Sequence, residues 1–240
     1  MEASARKEKS LAPSLEAKWQ LLRGVDKKWL IIWIVIYISF IGLELFIPKA
    51  FNEIRLIKYV GIFLCLVYAW AKYKNDSKLV IAMGLTLLSD TILMFMGAKV
   101  IGIYVFCFAQ IMHTLRLSGT PNMYLGVYFL MQFLIFAFCI MQNIEPIYAA
   151  AFLYAINIFS NLHLSYKWHK KEPGNINASC CFWGLCLFIL CDICCAITFL
   201  GETSVIPGAV AAVAGFMVFV FYYPSQILVS NSSTLQANER

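Results

Sequence analysis

Two aspartates interrupt apolar runs that otherwise carry no charge. Asp90 follows Gly84-Leu-Thr-Leu-Leu-Ser and precedes Thr-Ile-Leu-Met-Phe, and Asp192 follows Gly184-Leu-Cys-Leu-Phe-Ile-Leu-Cys. Each lies about 12 residues beyond the last polar break, roughly 18 Å at the 1.5 Å rise of a helix. An ionisable group at that depth in an apolar segment is costly and marks a functional site by default. Apolar surroundings disfavour the charged form of a carboxyl. Two carboxyls facing one cavity also separate their titrations, so that one is protonated while the other is ionised. That division suits general acid–base chemistry at neutral pH. A structural role, with each carboxyl hydrogen-bonded to a neighbouring helix, is the competing reading.

A second set of polar residues occupies comparable segments. Gln110 and Asn157 fall near mid-depth, with His113 one turn beyond Gln110. Gln226 follows Pro224, and Asn161 and His163 lie further along the same span as Asn157. For Gln110, Asn157 and Gln226, hydrogen bonding between helices competes with substrate contact. Glu44 and Lys58 face the same side of the membrane, where Lys58 can extend to the interface. Cys191, Cys194 and Cys195 surround Asp192, but they lack a paired C-x-x-C partner and the histidines differ in depth, so no metal site is assigned. No G-x-S-x-G, H-E-x-x-H or Walker pattern occurs.

The elements that must position these residues are membrane spans. The chain has 240 residues, of which 61% are apolar and 13% charged, with a mean hydropathy of +0.75. A water-soluble domain would carry roughly twice that charge fraction. Stretches long enough to cross hydrocarbon lie at 29–47, 57–73, 79–97, 100–116, 123–141, 145–166, 180–200 and 207–229. Polar, Gly and Pro punctuation separates them, as at 72–78, 119–121, 143–146, 167–177 and 201–207. With the N-terminus inside, 15 of the 19 Lys and Arg residues fall on the cytoplasmic side, leaving Lys49, Arg55, Lys58 and Lys99 outside. This is a strong positive-inside bias. The expected fold is therefore an all-α bundle of eight transmembrane helices with both termini cytoplasmic. The two aspartates then sit on spans running in the same direction, at similar depth.

Residues 1–28 form a basic segment without a cleavable signal, read either as an interfacial helix or as a solvated tail. Residues 29–230 are the transmembrane domain, and residues 231–240 read as a polar disordered tail. Nine cysteines, mostly within apolar runs, behave as small hydrophobes. The net charge of +6 is topological and implies no nucleic-acid partner. A weak 4+4 parallel repeat pairs Ser89-Asp90 with Cys191-Asp192, and Ala109-Gln110-Ile111 with Ser225-Gln226-Ile227.

Several short motifs recur in order: Gly84…Ser89-Asp90…Leu93-Met94, Phe106-x-x-Ala109-Gln110, Gly184…Phe188…Asp192 and Tyr222-Tyr223-Pro224-Ser225-Gln226. Together they resemble the YhhN-like lysoplasmalogenase family of multi-pass membrane proteins, from about Lys58 to Gln226. That family often has His where Gln110 stands, Tyr where His113 stands and Lys-Pro where Lys58-Tyr59 stands. Gln cannot titrate, so position 110 is left without an acid–base role. The resemblance implies hydrolysis of the vinyl ether of alkenyl lysophospholipids to a fatty aldehyde and a glycerophospho-alcohol. Asp90 and Asp192 would be catalytic, Lys58, Gln110, Asn157 and Gln226 would contact substrate, and no cofactor would be needed. The expected partners are the lysophospholipid and membrane lipids, in a bacterial cell membrane or a eukaryotic endoplasmic-reticulum-type membrane. A small proton-coupled transporter using the same aspartates is the alternative, because paired intramembrane acids also relay protons.

Overall fold

The structure is a computed structural model that describes residues 27–47, 51–119 and 123–235. Apart from Lys27 and Lys28, the basic N-terminal segment lies outside the described residues. Backbone groups in lipid must satisfy one another, which leaves the helix as the local solution for long apolar segments. Among the described residues, eight helices are long and apolar enough to cross a membrane, the third of them together with its continuation to Met96. They are α1 (Lys27–Phe46), α2 (Phe51–Tyr73), α3 (Ser77–Thr91), α4 (Lys99–Leu117), α5 (Met123–Met141), α6 (Pro146–Lys171), α7 (Ile176–Glu202) and α8 (Gly208–Ser230). The described residues contain no strand.

Local chemistry sets several boundaries. The Asp76 side chain accepts a hydrogen bond from the Leu79 amide at 3.1 Å and starts α3. Asn175 does the same for α7 with the Asn177 and Ala178 amides, and Pro146 occupies the first turn of α6. Beyond Thr91, α3 widens into a π-helical turn over Ile92–Met96, closed by Gly97 at φ +66°. The sequence reading placed a loop across 167–177. The helix instead persists to Lys171, whose solvated lysines project past the apolar section without breaking it. Pro224 lies inside α8, which continues through it to Ser230.

Six helices close a circuit of contacts in the order α2–α3–α4–α6–α7–α8 and back to α2. The short connections make α3–α4 and α7–α8 intimate antiparallel pairs. Outside the circuit, α1 packs on α2 and α8, and α5 packs on α6. Glycine sets two close approaches. A β-carbon on Gly61 would stand 2.7 Å from the Tyr223 ring, and one on Gly184 would stand 2.9 Å from Val229 and 3.1 Å from its backbone nitrogen. Such small residues let membrane helices approach without an aqueous driving force. Gly61→Ala should therefore destabilise the bundle by about 1–3 kcal/mol through overpacking, read as a lower melting temperature in detergent.

One end of the bundle carries the basic residues Lys72, Lys78, Arg116 and Lys171. It is closed by residues after α8. Asn231, Ser232 and Ser233 are buried, which revises the reading of a disordered tail for its first residues. Buried Arg116 donates to the Ser232 carbonyl at 2.8 Å and to its hydroxyl at 3.1 Å. Asp76 accepts from the Ser233 hydroxyl at 3.0 Å and the Thr234 amide at 3.1 Å. These residues escape a purely compositional reading because their polar groups are matched by a buried charge of each sign. The opposite end carries the exposed pair Lys99–Glu202 at 2.7 Å, a class of contact that contributes at most about 1 kcal/mol.

Candidate active site

Asp90 is buried on the last turn of α3, directly before the π-helical turn. Such widened turns re-aim side chains and are frequent at functional sites. Beside it, the Ser89 hydroxyl donates to the Gly102 carbonyl at 2.7 Å, fixing α3 against α4 at this level. Asp90 Oδ2 accepts from the Tyr222 hydroxyl of α8 at 2.7 Å. Asp192, half-buried on α7, accepts at its Oδ2 from the Tyr154 hydroxyl of α6 at 2.8 Å.

The two Asp–Tyr pairs are neighbours. Tyr222 lies within electrostatic range of Asp90, Tyr154 and Cys191, and the Cys191 thiol lies within range of both Asp90 and Asp192. An aromatic chain runs between them. Phe106 of α4 meets Tyr154 edge-on at 6.1 Å and Phe188 at 5.8 Å, and Phe188 stacks on Tyr222 at 5.5 Å. The site is thus a small polar centre of two carboxyls and two phenols inside an apolar, aromatic wall. Hydrogen bonds are stronger electrostatically in such low-dielectric surroundings than in water.

Its level is less central than the sequence suggested. Asp90 stands six residues from Met96 and Asp192 ten from Glu202, about 9 and 15 Å along their helices. The basic ends of the same helices, at Ser77 and Ile176, are about 20 and 24 Å away. α7 begins at Ile176, about one turn earlier than the polar residues up to Ser179 suggest.

The remaining expected site residues divide. Gln226, buried, is one turn beyond Tyr222 on α8, and Gln110 is one turn beyond Phe106 on α4. Gln110 is held by Asn161, whose amide nitrogen donates to both its side-chain and backbone oxygens at 2.8 and 2.9 Å. Two others have their partners away from the aspartates. Asn157 turns to α5, where its Oδ1 accepts from Tyr128 and from Gln132, and its Nδ2 donates to the Leu153 carbonyl. Its polar atoms secure the peripheral helix α5 rather than meet the aspartates. Lys58 pairs with Glu44 at 3.5 Å and lies over the rings of Phe40 and Phe219. Its half-buried stem favours that contact among α1, α2 and α8 over a reach toward the carboxyls.

Sequence reasoning missed Tyr154 and Tyr222 as site members. Tyr222 lies within a quoted motif, and Tyr154 sits three residues before Asn157, in a segment otherwise apolar around it. A phenol deep in a span needs a hydrogen-bond partner, and that is the signal that would have found both. Among the described residues, no three His, Cys, Asp or Glu side chains gather as a metal site would require, and all nine cysteines are free thiols.

The YhhN family model matches residues 54–233, a stretch that contains both Asp–Tyr pairs. No curated protein and no solved structure matches the chain.

Proposed function

From a chain that belongs to the YhhN family, we propose a lysoplasmalogenase-like hydrolase that cleaves the vinyl ether of alkenyl lysophospholipids within the membrane. The observation that supports it most is the pair of carboxyls from α3 and α7, each oriented by one tyrosine hydroxyl. In both pairs the phenol occupies Oδ2, which leaves the second oxygen of each carboxyl for substrate or water. One aspartate in its protonated form gives its proton to the vinyl carbon remote from oxygen. The ether oxygen then shares the positive charge as an oxocarbenium ion. The other, ionised aspartate stabilises that cation and takes a proton from the water that captures it. The resulting hemiacetal collapses to a fatty aldehyde and a free glycerol hydroxyl. The second aspartate returns its proton to the departing glycerol oxygen and the first takes the hydroxyl proton, which restores both carboxyls.

Geometry and environment support this chemistry in two ways. Carboxylates fixed before the cation forms stabilise it without reorganisation. The aromatic wall of Phe106, Phe188, Tyr154 and Tyr222 excludes bulk water from the oxocarbenium stage, and its ring faces favour positive charge. A lipid whose chain lies among the helices brings its ether bond to such a depth while its headgroup stays in the interface.

The test is incubation of the purified protein in detergent with a 1-alkenyl lysophospholipid, with product analysis by mass spectrometry. The proposal expects fatty aldehyde and a glycerophospho-alcohol in equal amounts. Silence in detergent, with proton-dependent uptake in sealed vesicles, would favour a proton-coupled carrier instead. Within the hydrolase reading, Tyr222→Phe removes one hydrogen bond to a carboxyl. It should lower the turnover number roughly tenfold and cost about 1–3 kcal/mol of stability, because buried Asp90 loses a donor.

A further inference from the structure

The ion pair between Lys99 and Glu202 joins α4 and α7, the two helices that flank α6 in the circuit. Phe106 and Asp192 stand on the same two helices further in, and Tyr154 of α6 lies between them. The pair therefore bridges the end of the wedge formed by α4, α6 and α7. At the site level this wedge leaves Asp192 and Tyr154 only half-buried.

The placement of the charges is the reverse of what helix stability would select. Lys99 is the first residue of α4 and Glu202 the last residue of α7. The helix dipole favours anions at the N-terminus and cations at the C-terminus. Each charge thus sits at the end that repels it, and both side chains are more than half exposed, at 54% and 56%. Exchanging the two residues would keep the bridge and gain from both dipoles, at the loss of the contact of Lys99 over the Phe199 ring of α7, 5.7 Å from its centroid. The helix dipoles therefore do not explain why the lysine is on α4 and the glutamate on α7.

Resting on the hydrolase reading above, we infer that Lys99 and Glu202 form the headgroup subsite of this enzyme, taking a zwitterionic phosphate–ammonium headgroup. Lys99 binds the phosphate and Glu202 the ammonium, the incoming lipid exchanging one ion pair for two. The dimensions agree. Lys99 lies seven residues from Phe106, about 10 Å along α4, and Glu202 about 15 Å from Asp192 along α7. A vinyl ether held at the carboxyls is separated from its phosphorus by a glycerol backbone of a few single bonds, roughly 6–7 Å. The lysine side chain spans the remainder. Arg116, at the basic end, is ten residues from Phe106 on the other side, about 15 Å away, and its guanidinium is occupied by Ser232. The substrate accordingly lies in the leaflet opposite the basic loops.

The experiment uses saturated 1-O-alkyl lysophosphatidylethanolamine and lysophosphatidylcholine, which bind without turnover, and 1-O-alkylglycerol, which lacks the headgroup. Binding to the full-length protein in detergent is followed together with its melting temperature. Lys99→Gln should weaken both lysophospholipids roughly tenfold, the loss of one charge-assisted contact, and leave the alkylglycerol unchanged. Glu202→Gln should weaken the two lysophospholipids in the same direction. The double variant Lys99→Glu with Glu202→Lys should match or exceed the wild-type melting temperature without recovering phospholipid affinity. Unchanged affinity in Lys99→Gln, or full recovery in the exchanged pair, overturns the subsite and leaves a structural brace. Headgroup-dependent binding in a protein that releases no aldehyde from the alkenyl lipid keeps the subsite and removes the hydrolase reading.

Discussion

Asp90→Asn and Asp192→Asn should each lower aldehyde release by about 10²- to 10⁴-fold, the range expected when a positioned proton donor or acceptor is lost. Asparagine keeps the shape of the side chain and still offers an oxygen to the Tyr222 or Tyr154 hydroxyl, so the packing around Phe188 and Phe106 is retained. It cannot give a proton to carbon, and it cannot balance an oxocarbenium charge. The measurement is single-turnover product analysis on purified wild-type protein and both variants, with melting temperatures taken in the same detergent. In the proposed mechanism the two carboxyls act on one reaction, so the double variant should be little worse than either single one. Full turnover in both single variants would remove the aspartates from the chemistry. Full turnover in one would leave the other acting alone, with its own tyrosine as the only partner.

How far the sequence carries depends on the kind of residue. All eight spans were legible because nothing but apolar length was needed, and charge decided only their ends. The two aspartates were legible for the same reason in reverse, as charges that hydrocarbon does not tolerate without a purpose. Tyr154 and Tyr222 were not, because a tyrosine is at home in an apolar run and its partner is assigned by helix packing. Asn157 and Lys58 show the converse. Both are polar groups at suggestive positions, yet their hydrogen-bond and charge requirements are met by α5 and by Glu44, on faces that a linear sequence does not separate. The ring order α2–α3–α4–α6–α7–α8, which puts Asp90 beside Tyr222 of the last span, is likewise a property of contacts far apart in the chain.

The circuit also explains why α1 and α5 can lie outside it without weakening the site. The carboxyls, phenols and aromatic wall come from α3, α4, α6, α7 and α8. The outer helices brace these through a few polar anchors, Tyr128 and Gln132 to Asn157 for α5, and Glu44 to Lys58 and Tyr37 to the Val220 carbonyl for α1. Substitution at these anchors should therefore act on stability before it acts on turnover.

Ending the chain at Ser230 should destabilise the protein by about 3–5 kcal/mol, the cost of leaving a buried charge without its partners, whereas ending it at Leu235 should be nearly neutral. Ending at Ser230 removes the carbonyl and hydroxyl of Ser232 from the Arg116 guanidinium. It also takes the Ser233 hydroxyl and Thr234 amide from Asp76, and Asn231 from the Tyr68 hydroxyl. Asp76 retains the Leu79 amide and is the less harmed of the two charges. Arg116 keeps only the Cys181 sulfur, at 3.8 Å. Thermal unfolding in detergent reads the difference, and a second substitution identifies its cause. If the loss comes from the stranded guanidinium, Arg116→Met in the chain ending at Ser230 should recover a large part of it, since a group of similar length without charge needs no partner there. If the loss came instead from the unsealed end of the bundle, the methionine would recover nothing. Both truncations should leave the spacing between the carboxyl pairs and Lys99 unaltered, because the tail closes the end of the bundle farther from them.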